Sequence, residues 1–176
     1  MSPRKPAVVF IFITLFLAIL GIGLIVPILP KLIEEFEGGD VENAARTYGF
    51  LAALYSAMQF VFAPLLGSLS DRVGRRPVIL VSLLGSGLDY LLLAIAPNLG
   101  WFVVGRLVAG LTGANYSAAT AYIADVTPPE KRAASFGLVG AAFGLGFIAG
   151  PAIGGMLGHH GLRVPFYAAA GVTFLN

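Results

Sequence analysis

The chain has 176 residues, of which 57% are hydrophobic and only 11% charged, and its mean hydropathy is +0.87. Such a composition lies outside the balance of a water-soluble globular domain and points to a membrane protein made of spanning helices. The net charge of +2 is scattered over short loops, which argues against a nucleic-acid partner, and the absence of Cys excludes disulfides, thiolate metal sites and thiol nucleophiles.

Stretches free of Asp, Glu, Lys and Arg, divided by turn residues, predict helices over 7–30, 47–69, 78–96, 101–124, 133–158 and 164–176, an all-α membrane bundle of six helices. The first run follows Arg4 and Lys5 and is far longer than the apolar part of a signal peptide, so it reads as a span. After it come Glu34, Glu35, Glu37, Asp40 and Glu42, an acidic and solvated loop. Ala63-Pro64-Leu65-Leu66-Gly67 in the second helix is echoed by Gly150-Pro151-Ala152-Ile153-Gly154 in the fifth, which suggests a three-plus-three repeat with matching proline bends.

Between the second and third helices lies Gly67-Ser68-Leu69-Ser70-Asp71-Arg72-Val73-Gly74-Arg75-Arg76-Pro77. Gly67 predicts a close helix approach, Gly74 a left-handed turn, and Asp71 with Arg75 a charge pair able to latch a neighbouring helix end. The third and fourth helices each hold one charge inside the apolar run, Asp89 and Arg106. Buried ionisable groups cost several kcal/mol and usually mark a transport path. Their depths, about 12 Å and about 8 Å from the same end, predict that they face each other or share a polar cavity. A purely structural ion pair is the alternative.

Gln59, Asn115, Tyr116 and Ser117 are polar enough to line that cavity, or to bond between helices. In the fifth helix Gly146, Gly150, Gly154 and Gly158 recur every four residues, a smooth face for another backbone. His159 and His160 are adjacent in a loop and lack ligand spacing, so no metal site is expected. Ser86 in Leu84-Gly85-Ser86-Gly87 has no His at membrane depth, so no enzyme site is expected. The sixth run would reach about 20 Å of a hydrocarbon core about 30 Å thick, a truncated helix. Arg4, Lys5, Arg72, Arg75, Arg76, Lys131 and Arg132 on one side outnumber Lys31, Arg46 and Arg163 on the other, which predicts a cytoplasmic N-terminus.

The run from Gly67 to Arg76 matches in full the loop signature Gly-x-Leu-x-Asp-Arg-x-Gly-Arg-Arg, and at this point the chain resembles the major facilitator superfamily. Leu20-Gly21 through Pro27 and Pro30, Arg106 with Gly110 and Gly113, and Gly146-x-x-x-Gly150-Pro151-x-x-Gly154-Gly155 resemble its drug/proton antiporter branch. Leu54-Tyr55-Ser56-Ala57-Met58-Gln59-Phe60, Leu88-Asp89-Tyr90 and Ala121-Tyr122-Ile123-Ala124-Asp125 resemble the tetracycline/proton antiporters within it. One position departs: Ala18 stands where that group carries an acid, three residues before Gly21.

The resemblance implies the N-terminal six-helix bundle of a bacterial inner-membrane exporter, working by alternating access and driven by protons. It implies a proton or charge path through Asp89 and Arg106, and a conformational switch in the loop of Gly67, Asp71, Arg72, Gly74, Arg75 and Arg76. The seam of Gly146, Gly150, Pro151, Gly154 and Gly155 is expected between two halves. Expected partners are a small drug, protons, the lipid bilayer and a C-terminal six-helix half. No cofactor is expected beyond the proton gradient, with a drug-bound divalent cation as an option. A chain ending at Asn176 would lack half the cavity and not transport alone. A transporter of another small solute, or a non-transporting assembly subunit, is the alternative.

Overall fold

The computed structural model describes residues 5–113 and 115–176, without the side chains of residues 5–8 and Asn115. The described residues form eight helices and no strand: α1 (Lys5–Ile25), α2 (Leu29–Phe36), α3 (Val41–Val73), α4 (Arg75–Ile95), α5 (Leu99–Thr112), α6 (Asn115–Val126), α7 (Pro129–Gly158) and α8 (Val164–Leu175). The segments Val9–Phe36, Val41–Val73, Arg75–Ile95 and Pro129–Gly158 are long and apolar enough to cross a bilayer, and α8 is a shorter apolar helix.

The helix predicted over 7–30 is two helices. Pro27 has no N–H to donate and its ring obstructs the preceding turn, so α1 stops at Ile25. The chain restarts at Leu29 with Pro30 in the first turn of α2, where no intrahelical donor is needed. Leu29, Leu32 and Ile33 of α2 are buried, while Lys31 and Glu35 are exposed. The segment predicted at 47–69 runs instead from Val41 to Val73, about 50 Å at 1.5 Å per residue. Asp40 starts it early: its Oδ1 accepts from the backbone N–H of Glu42 and of Asn43, both at 3.0 Å. Absence of charge had marked the apolar stretch and not the helix, whose ends carry the exposed charges of Glu42, Asp71 and Arg72.

The predicted fourth helix, 101–124, is also divided, into α5 and α6. A Cβ at Gly113 would meet the Gln59 amide and the Ala109 carbonyl, so glycine is required at this crossing, and glycine is a weak helix former. Gly113 instead offers its carbonyl to Gln59 Nε2 at 3.2 Å.

Close backbone crossings hold the bundle. α1 lies along α7, with Gly23 on Gly150, Gly146 under Ile19 and Leu20, Gly154 under Leu24, and Gly158 under Ile28. α4 packs on α5 through Gly85 and Thr112, and on α8 through Gly87 and Phe174. The glycine stripe read from the sequence therefore faces α1 of the same bundle, and Gly155, with nothing near its missing Cβ, points away from it. The two halves of the sequence echo do different work: Pro151 abuts Gly23, whereas Pro64 is exposed and Gly67 faces open space, so the close approach expected at Gly67 does not occur.

Two apolar clusters form the core. One gathers Leu24 to Ile33 with Leu93, Phe102 and Phe166 near the α1–α2 junction. The other gathers Ile11, Leu15, Ile79, Leu83, Ile123 and Val139 toward the Gly74 end. Along α4, Asp89 falls between Leu83 of the second cluster and Leu93 of the first.

Candidate transport site

Asp89 on α4 is 1% exposed, and its countercharge lies across on α5. Arg106 Nη2 donates to Asp89 Oδ2 at 2.5 Å, which joins the two intramembrane charges as the spacing predicted. Gly105 makes room for this approach, because a Cβ there would sit 2.5 Å from Asp89 Oδ1. The pairing is incomplete. Asp89 Oδ1 and Arg106 Nε are buried with no hydrogen-bond partner among the described residues, an arrangement that costs stability and is usually kept for a function.

Arg106 also lies over the Tyr55 ring, 5.6 Å from its centroid. Gln59, one turn further along α3, uses its two amide protons separately: Nε2 donates to Tyr55 Oη at 2.7 Å and to Gly113 O at 3.2 Å. A continuous set of contacts thus links the Asp89 carboxylate to the break between α5 and α6.

Two chambers adjoin the pair. The first, about 120 Å³, is bordered by Ala18, Ser86, Asp89, Tyr90, Arg106 and Thr173 among others. The second, about 170 Å³, lies nearer the α1–α2 junction against Val26, Leu29, Tyr48, Leu51 and Ser56. Ile22, Ile25, Tyr55 and Arg106 border both. Of the cavity residues expected from sequence, Gln59, Tyr116 and Ser117 do not line these two chambers. Gln59 is engaged in the network behind Tyr55, Tyr116 is exposed with its ring edge-on to Phe143, Ser117 is exposed, and the Asn115 side chain lies outside the described residues. Polarity alone had singled those out. Tyr55, Tyr90, Ser86 and Thr173 were missed because position relative to Asp89 distinguishes them, with helical spacing from Asp89 the one available signal for Ser86.

At the Gly74 end, Gly74 has φ +99°, the positive value that the turn requires. Arg75 bonds Asp71 Oδ1 through Nη1 at 2.5 Å, Asp125 Oδ2 on α6 through Nε at 3.1 Å, and the Ser70 hydroxyl at 2.6 Å. The expected charge pair is present, and its cross-helix partner is Asp125. Arg72 and Arg76 are exposed at this end. The opposite end is tied by Arg163, whose guanidinium donates to Ala94 O at 2.9 Å and Ala96 O at 2.8 Å and lies over the Phe36 ring.

A model of the Major Facilitator Superfamily matches residues 11–176. The chain belongs to the major facilitator superfamily. Tetracycline resistance protein, class E, of Escherichia coli is 51% identical over 96% of this chain and 41% of its own length. Multidrug resistance protein 2 of Bacillus subtilis is 31% identical over 99% of this chain and 42% of its own. The crystal structure of the human organic anion transporter MFSD10 matches with a TM-score of 0.83 at 28% identity, covering 99% of this chain and 47% of that one. The chain spans about two-fifths of the length of the curated relatives it matches, and it corresponds to their N-terminal half. Major facilitator proteins are transporters and not enzymes, and the fold described above is theirs.

Proposed function

We propose that this chain supplies the N-terminal bundle of a proton-driven exporter of small, tetracycline-like drugs that works by alternating access, with its N-terminus and Gly74 end cytoplasmic. The observation that carries this reading is the buried Asp89–Arg106 pair with one carboxylate oxygen left open. A carboxylate so placed offers a site where a proton can be taken up and released as the bundle moves, and Arg106 responds to its charge. Arg75, bonded to both Asp71 and Asp125, ties the α3–α4 turn to α6 and supplies a contact that has to break or hold as α6 shifts. The α7 seam supports a role in the same motion, since its glycines bring α7 into close backbone contact with α1. Drug, protons and lipid are the partners of this reading, together with a second six-helix half, and a drug-bound divalent cation fits it as part of the substrate.

Everted membrane vesicles from cells expressing the complete gene provide the test. Tetracycline uptake abolished by a protonophore, and lowered by about an order of magnitude in Asp89→Asn, supports the proposal; uptake that ignores both refutes it. Ala18 favours a second reading, export of a different small solute, because it borders the first chamber where the tetracycline-resistance group places an acid. Protonophore-sensitive transport of other amphipathic drugs without tetracycline would select that reading.

A further inference from the structure

Of the four residues that border both chambers, Tyr55 is an aromatic one held from two directions. Arg106 lies over the ring face at 5.6 Å, and Gln59 anchors the hydroxyl at 2.7 Å. On one side lies the open Oδ1 of Asp89, in a chamber with room for a few waters and edged by Ser86, Tyr90 and Thr173. On the other lie Val26 and Leu29 at the α1–α2 junction and Tyr48 and Leu51 on α3, a mostly apolar lining. A ring pinned at both face and tip forms a fixed wall.

We propose that Tyr55 is a partition that sets specificity: it keeps organic solutes in the second chamber and reserves the chamber around Asp89 for water and protons. Gln59 is a positioning residue in this arrangement, holding the Tyr55 hydroxyl while its second amide proton goes to Gly113 O. The separation of two ligands follows from it. An amphipathic solute meets the apolar side of the wall and touches Arg106, while the proton reaches Asp89 from the other side of the same guanidinium. Arg106 is then the shared group through which occupancy of one chamber is felt in the other. The functional meaning rests on Asp89 being the proton site, but the partition itself is tested without any transport.

These 176 residues hold no Cys, so once any Cys in the rest of the protein is replaced by Ser a single introduced thiol reports alone. Ser86→Cys places a probe in the first chamber only, and Ser56→Cys one in the second only. The protein in lipid nanodiscs is reacted with a trimethylammonium thiosulfonate, and labelling rates are compared. With Tyr55 present, Ser56→Cys is expected to label faster than Ser86→Cys by about tenfold or more. Tyr55→Ala is expected to raise the Ser86→Cys rate by about tenfold while leaving Ser56→Cys unchanged. Gln59→Leu and Tyr55→Phe, which keep the ring and lose its anchor, give intermediate rates and serve if the alanine variant does not fold. Tyr55→Trp restores protection. Equal labelling of the two probes in the parent, or a Ser86→Cys rate indifferent to all four variants, overturns the partition. Loss of proton-driven efflux alone, with labelling as expected, overturns the function and leaves the partition standing.

Discussion

Replacing Gly23 by Ala tests whether the α1–α7 crossing is as tight as its geometry implies. The new Cβ would lie 2.8 Å from Gly150 Cα, 3.1 Å from Gly146 O and 3.2 Å from Pro151 Cδ. Carbon atoms prefer about 3.5–4.0 Å, so the helices must part by roughly 1 Å along this stretch. None of these three atoms belongs to a flexible side chain that can rotate aside. Overpacking of this kind costs about 1–3 kcal/mol, while a better helix former in place of glycine returns about 0.5–1 kcal/mol. The net expectation is a loss of about 0–2.5 kcal/mol. Gly155→Ala on α7 is the control, because nothing lies within 4 Å of its Cβ position, and it should gain the helix-propensity term alone. Unfolding in mixed detergent micelles with increasing dodecyl sulfate, followed by far-ultraviolet circular dichroism, measures both. Equal midpoints for Gly23→Ala and Gly155→Ala would refute the reasoning.

Other expectations follow from individual contacts. Asp89→Ala strands the Arg106 charge in the apolar interior and should cost about 3–5 kcal/mol in the same assay, whereas the double change with Arg106→Leu should cost less than the single one. Arg163→Ala removes two charge-assisted bonds to the end of α4, worth about 3–6 kcal/mol together, and hydrogen exchange should rise first at the α4 and α8 ends that meet there. Asp40→Ala should cost about 1 kcal/mol and speed exchange of the Glu42 and Asn43 amides, with no effect on protonophore-sensitive transport.

The apolar runs made the membrane class and most helices legible, and the depth of Asp89 and Arg106 on neighbouring helices made their pairing legible, because hydrophobicity and axial rise act locally along the chain. What the sequence hid is lateral. Asp125 meets Arg75 only because α6 passes beside the α3–α4 turn. Tyr55 matters only because α3 brings its ring under a guanidinium on α5. Gln59 looked like a cavity residue from its polarity, yet its amide is spent on Tyr55 and on a carbonyl released by the break at Gly113. That break was itself misread, since an unbroken apolar run gives no sign that one glycine at a helix crossing interrupts it. Pro27 was visible in the sequence as a family mark, but its plain physical effect, ending α1 at Ile25, was passed over.

Arg163 carries a consequence for the order in which the protein is made. The carbonyls of Ala94 and Ala96 at the end of α4 receive their donors from a residue 69 and 67 positions later in the chain. As the polypeptide leaves the ribosome, α4, α5, α6 and all of α7 are synthesised before that guanidinium exists. Until then the end of α4 depends on water or on the insertion machinery for its hydrogen bonds. Closure of this end of the bundle is therefore a late event of biogenesis, timed by the arrival of the α7–α8 turn, and a ribosome stalled before codon 163 should leave Ala96 and its neighbours open to protease.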